Sequence, residues 1–158
     1  MIIGQTLKRR DLVTLACAFL VSAVLPATAA GEAITVLKTS GCACCLGWIK
    51  HLKQAGFVVD VKNVDMGTLM KTKLDAGLTA QLAACHTGKL SGYIIEGHVP
   101  VREIRRLLDE RPDAIGLAVP GMPLGSPGME ADKGEPYEVL LVRKDGSTET
   151  FAQYHGTR

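Results

Sequence analysis

Three thiols fall within four consecutive positions, Cys42-Ala43-Cys44-Cys45, and a fourth, Cys85, is followed directly by His86. Thiolates are the soft ligands that select Cu(I), Zn(II) or iron–sulfur centres. Cys42 and Cys45 alone form a Cys-x-x-Cys pair, the spacing of dithiol redox sites. A two-electron dithiol reaction uses two sulfurs, so the additional Cys44 points towards metal. Neighbouring side chains diverge, which makes Cys44 and Cys45 awkward as two ligands of one tetrahedral ion. Several Cu(I) ions bridged by shared thiolates relax that demand. A bridge between near neighbours constrains the unfolded chain little, so the clustering speaks for chemistry over stapling. The plain alternative is a Cys42–Cys45 or Cys42–Cys44 disulfide with bystander thiols.

The other soft or titratable candidates divide less sharply. His86 either ligates metal or orients the cluster from behind it, or else bonds a loop carbonyl. His51 lies seven residues past Cys44, roughly 10 Å along a helix axis; it reads as a surface residue or an entry-side ligand. His98 precedes Pro100, where a local capping role is the simpler expectation, and His155 belongs to the tail. Met122 and Met129 are thioether donors that either cap a Cu(I) site or serve as adaptable packing, the simpler reading. Arg102, Arg105 and Arg106 interleave with Glu103, Asp109 and Glu110 and read as a solvated helix face.

Several function classes have nothing to stand on. No phosphate-binding Gly-x-x-x-x-Gly-Lys-Ser/Thr loop, Gly-x-Ser-x-Gly elbow or His-Glu-x-x-His zinc motif is present. The 158-residue chain carries 18 basic and 16 acidic residues, and from Leu12 onwards 15 of each. A chain neutral over that length has no electrostatic footprint for nucleic acid or anionic membrane.

The elements that must position the thiols follow from the pattern. Lys8, Arg9 and Arg10, the apolar run Leu12–Leu25 and the small-residue site Ala27-Thr28-Ala29 have the layout of a secretory signal peptide over residues 1–29. The Arg9-Arg10 pair leaves twin-arginine export open beside the general route, and an uncleaved anchor is the alternative. Cys17 lies inside the run and would be discarded with it. We expect one exported domain over residues 30–158, in a compartment that permits disulfides.

Within that domain, Ile34–Leu37 reads as a strand. From Cys45, the spacing of Trp48, Ile49, Leu52 and Ala55 predicts a helix that Gly56 ends. Phe57–Val61 is a second strand, Asp65–Ala76 a second helix, and Leu78–Ala84 a further helical turn or two. Thr87–Leu90 and Tyr93–Glu96 flank Ser91-Gly92, a hairpin signal. Pro100 opens a third helix that Arg111-Pro112 closes. A β-α-β half joined to a β-β-α half is the layout of an α/β, thioredoxin-like mixed sheet flanked by helices, with a core over about residues 34–111. In such a sheet the loop before the third strand faces the start of the first helix, which would bring Cys85 to the cluster. Residues 112–158 form an extension: an apolar stretch from Ala118 to Met129 too rich in Pro and Gly for any regular element, then a hairpin from Tyr137–Val142 and Thr148–Phe151.

The segments GCACCLGWIKHLKQAGF and ACHTGKLSGYIIEGHVPVREIRRLLDERPDAIGLAVPGMPLGSPGME closely resemble a family of bacterial periplasmic proteins that includes the CopG-like copper-resistance proteins. The likeness runs from about Ile34 to Tyr154. It implies a thioredoxin-like fold that binds copper, as multinuclear Cu(I)–thiolate clusters, through Cys42, Cys44, Cys45 and Cys85. Ala43 stands where the family commonly has Gly, and the upstream loop lacks the family's Pro; neither change removes a sulfur. The expectation is a periplasmic protein that sequesters or relays Cu(I) in copper tolerance, in exchange with other copper-handling proteins and with no membrane association after cleavage. A thiol–disulfide or copper-linked oxidoreductase using Cys42 and Cys45 is the alternative, and a zinc-stabilised module a third.

Overall fold

A computed structural model describes residues 31–156. The signal-like segment, with Cys17, lies outside the described residues. Among the described residues, seven strands form one sheet in the order β2-β1-β3-β4-β5-β6-β7. They are β1 Ala33–Lys38, β2 Val58–Asn63, β3 His86–Leu90, β4 Tyr93–Glu96, β5 Gly116–Ala118, β6 Tyr137–Val142 and β7 Thr148–Tyr154. Pairings β1–β2 and β4–β5 are parallel and the rest antiparallel. Helices α1 Ala43–Gln54, α2 Met66–Asp75 and α3 Val101–Glu110 cover the faces, with a 3₁₀ turn at Ala80–Leu82. The mixed α/β sheet expected from the sequence is therefore the fold.

Strand alternation assigns the faces. Ile34, Val36, Leu90, Ile95, Leu117, Val139 and Leu141 point to one side, where they meet Trp48, Ile49 and Leu52 of α1 and Ile104 and Leu107 of α3. Ile94, Ala118, Leu140 and Val142 point to the other, against Leu78 and Leu82. Trp48 is fully buried and its indole N–H donates to the Val99 carbonyl at 2.8 Å, so its one polar atom is satisfied. Fully burying a side chain such as Leu52 or Ile104 contributes about 1.5–3 kcal/mol.

Three expectations change. Helix α1 begins at Ala43, two residues earlier than its apolar periodicity shows, because Cys42 caps it: the Cys42 sulfur accepts the Cys45 N–H at 3.3 Å. Residues 116–118, the last of which begins the stretch read as irregular, form β5. This short strand joins β6 and β7 to the sheet, so the hairpin continues the main core instead of flanking it. Glu103 is not on a solvated face. It is 1% exposed, held by Arg102 at 2.7 Å and by the Tyr154 hydroxyl at 2.9 Å.

Candidate metal centre

The parallel β1-α1-β2 unit puts the start of α1 beyond the carboxyl end of β1, and β3 runs antiparallel to β1 beside it. The N-terminus of α1 and the residue entering β3 thus share one end of the sheet. Lys38, buried at the end of β1, donates from Nζ to the Thr39 carbonyl at 2.8 Å, and the Thr39 carbonyl also accepts the Cys42 N–H at 3.3 Å. That turn aims the cysteine run into α1. Cys44 and Cys45 lie in the first turn of α1, which has no acidic residue.

The sulfurs of Cys42, Cys44, Cys45 and Cys85 all lie within 4.8 Å of one another. Cys44 Sγ is 3.6 Å from Cys42 Sγ and 3.7 Å from Cys85 Sγ. Cys42 and Cys45 are joined as a disulfide, and Cys44 and Cys85 are free thiols. The expected approach of Cys85 to the cluster is therefore present, together with one of the two disulfide pairings the spacing allowed. Burial, and then the neighbouring Cys44, push the Cys85 thiol up to about 12.

His86 is buried with Nδ1 3.3 Å from Cys85 Sγ, its ring against Trp48 at 4.3 Å between centroids. Its Nε2 is a buried atom with no hydrogen-bond partner. Burial, then the charge of neighbouring His98, lower its pKa to about 3, so the ring is neutral. His98 is the residue the sequence reading misplaced. It makes no cap to α3. It is fully buried, with Nε2 3.2 Å from Cys85 Sγ, while Nδ1 donates to the Pro127 carbonyl at 2.8 Å. That donation fixes the tautomer and leaves the Nε2 lone pair facing the sulfur. Cys85, His86 and His98 thus make a second ligand group sharing Cys85 with the first.

The Pro- and Gly-rich loop closes the site from outside. Gly128, at φ +88°, packs on α1 so closely that a Cβ there would sit 2.5 Å from the Trp48 nitrogen and 2.7 Å from the Cys44 carbonyl oxygen. Met122, half exposed, brings its Sδ to 3.8 Å from Cys44 Sγ, so it borders the cluster and is not core filler. Met129 is half buried, and its backbone closes the loop through the Gly125 and Ser126 peptides. His51 is at the surface, as expected, paired with Glu130. The Gly128 N–H, at 2.8 Å, and His51 hold the Glu130 carboxyl down to about 2.

The donor set suits a soft metal. Sulfur dominates, two neutral imidazoles and a thioether adjoin, and among the described residues no carboxylate belongs to either ligand group. All four sulfurs become donors only when the Cys42–Cys45 bridge is reduced.

Residues 82–129, which include Cys85, His86, His98 and Met122 but not the α1 cysteines, match a family described as "Protein of unknown function, DUF411". No curated protein matches the chain. Two solved structures are similar over nearly their whole length. "Copper resistance protein copG- Form 1" is 40% identical, covering 80% of this chain and 99% of that one with a TM-score of 0.74. "Copper resistance protein copG- Form 2" is 41% identical, covering 78% and 98% with a TM-score of 0.73. At that identity and coverage the chain belongs to the CopG family of copper resistance proteins.

Proposed function

We propose that this protein binds copper as Cu(I) through Cys42, Cys44, Cys45 and Cys85, and sequesters or relays it in copper tolerance. The observation that carries the reading is the approach of Cys85 Sγ, from the strand side, to 3.7 Å from the α1 thiol Cys44. One helix turn alone offers adjacent, diverging cysteines. The fourth sulfur closes the set and makes shared thiolate bridges between several ions feasible. His98 Nε2 and His86 Nδ1 adjoin it as nitrogen donors, and Met122 offers a soft thioether at the outer rim. The names of the two related structures support copper as the metal.

Export supports the same reading. Residues 1–29 act as the signal, and residues 30–158 work in the periplasm as one domain. Among the described residues no helix is long and apolar enough to cross a membrane. Met122, exposed beside Cys44, and exposed Leu46, which follows Cys45 in α1, give a copper-handling partner apolar side chains to dock on.

The test is an anaerobic Cu(I) titration of the reduced protein against a competing chelator, with metal analysis. More than one Cu(I) per chain is expected, falling by at least one ion in Cys85→Ser. Binding that is weak, or unchanged without Cys85, rejects the shared site.

The Cys42–Cys45 disulfide favours a second, linked activity. Its reduction takes up two electrons and two protons from a dithiol partner and yields the four-thiol form. Oxidation by a partner disulfide reverses this and removes two copper ligands. Disulfide exchange with a dithiol substrate, lost in Cys45→Ser with copper binding retained, would favour this oxidoreductase reading over storage.

A further inference from the structure

Lys73 of α2 and Glu96 of β4 form an ion pair in the protein interior, 2% and 0% exposed. Taking two charges out of water is costly, and apolar residues of the same volume often serve stability as well. The pair's other hydrogen bonds show what else it does. Glu96 Oε1 accepts the Ala84 N–H at 2.6 Å. Glu96 Oε2 accepts the hydroxyl of buried Thr87 at 2.7 Å, and that oxygen accepts from Lys73 Nζ at 2.8 Å. Lys73 Nζ also donates to the His86 carbonyl at 3.4 Å. The backbone is therefore gripped just before and just after Cys85, which itself lies outside regular structure between the 3₁₀ turn and β3.

By strand alternation this network sits on the face of the sheet opposite α1. Thr87 and Glu96 point away from the helix, while His86 points towards it against Trp48. Neither charge bonds a sulfur. Four thiol groups must meet within a few ångströms; two of them ride on α1 and a third caps it. The fourth is on a connecting segment whose freedom would otherwise lower its effective concentration at the cluster.

We propose that Lys73, Glu96 and Thr87 are positioning residues for Cys85: a buried ionic clamp that holds its sulfur against the α1 thiols. The assignment deepens the copper reading and rests on it for its purpose, but the geometry it asserts is testable without metal.

The test uses the full chain carrying Cys17→Ser, Cys42→Ser and Cys45→Ser, which leaves Cys44 and Cys85 as the only cysteines. The equilibrium between their dithiol and disulfide in glutathione buffers reports the effective concentration of one thiol at the other. Replacing the clamp by Lys73→Met with Glu96→Leu keeps volume and removes the charges and the hold on Ala84. Effective concentration should fall about tenfold, the worth of a hydrogen bond to a charged group, with a folded far-ultraviolet spectrum retained. Lys73→Met with Glu96→Gln keeps an acceptor for Ala84 and should restore most of the loss. An unchanged effective concentration in the folded Met/Leu variant overturns the proposal. If that variant does not fold, Thr87→Val replaces it: a fall of about threefold supports the clamp, on the smaller scale of a neutral hydrogen bond, and no change overturns it. Copper plays no part in this measurement, so failure of the clamp and failure of the copper reading are separate results.

Discussion

Burial acts in opposite directions on the two kinds of titratable group around Cys85. It pushes the thiol up, to about 12, and the neighbouring His86 down, to about 3. For His86 the stability consequence has a definite sign. The unfolded chain binds its proton near 6.5 and the folded chain near 3, so between those values the unfolded state holds more protons. The contribution is fully present above about pH 6.5 and is lost as pH falls towards 3, at up to about 1.4 kcal/mol per unit. Urea unfolding of the metal-free protein should show this slope between about pH 6.5 and 4, and His86→Phe should flatten it. Equal slopes for the two proteins would contradict a buried neutral imidazole.

His98 shows how much of the site could be read earlier than it was. The hairpin centred on Ser91-Gly92 pairs Thr87 with Glu96, and the same register carried two residues outward sets Cys85 opposite His98. That register is legible in the sequence, but His98 also stands two residues before Pro100, where a capping role is a simpler expectation than a metal one. His98→Ala should weaken Cu(I) binding by about tenfold or more, as for other groups that hold or orient a metal ligand. Chelator competition that finds no change would remove His98 from the site.

At the scale of elements, legibility follows length and locality. Helices α1, α2 and α3 show their periodicity within one segment, and the β3–β4 hairpin announces its own turn. Strand β5 has three residues, too few for any alternation, and it is defined by pairing with β4 and β6. Glu103 sits among charges spaced like a solvated face, yet Tyr154 of β7 binds its carboxylate. Such contacts join distant parts of the chain and leave no local trace. The loop after β5 illustrates the opposite case, since its Pro and Gly content announces irregular backbone but not what it covers. Gly128 needs both its positive φ and its missing side chain against α1. Gly128→Ala should therefore destabilise the protein by about 1–3 kcal/mol and make the cysteines react faster with an alkylating probe. An unaltered melting temperature and alkylation rate would show that the loop does not seal the site.

For the whole molecule, the α1 cysteines, Cys85 and the closing loop come together only because the sheet brings the end of β1 beside the start of β3. Element order, taken as a thioredoxin-like sheet, predicts that juxtaposition through Cys85. The buried Lys73–Glu96 pair leaves no such mark, because both residues look like ordinary surface charges until the fold encloses them. If Cys42 and Cys45 ligate copper as proposed, their bridge ties metal capacity to redox state. Protein held in that disulfide form should bind at least one Cu(I) fewer per chain than the reduced protein, and dithiol reductant should restore the difference. Equal capacity in both states would break the link between redox state and copper load.

Copper held as proposed takes its sulfurs from both the start of α1 and the entry to β3. X-ray absorption at the copper edge of the reduced, Cu(I)-loaded protein tests this most directly, run beside Cys85→Ser. A first shell dominated by sulfur is expected, with a resolved copper–copper vector that is lost or weakened in Cys85→Ser. A first shell of nitrogen and oxygen, or a copper–copper vector indifferent to Cys85, would contradict it.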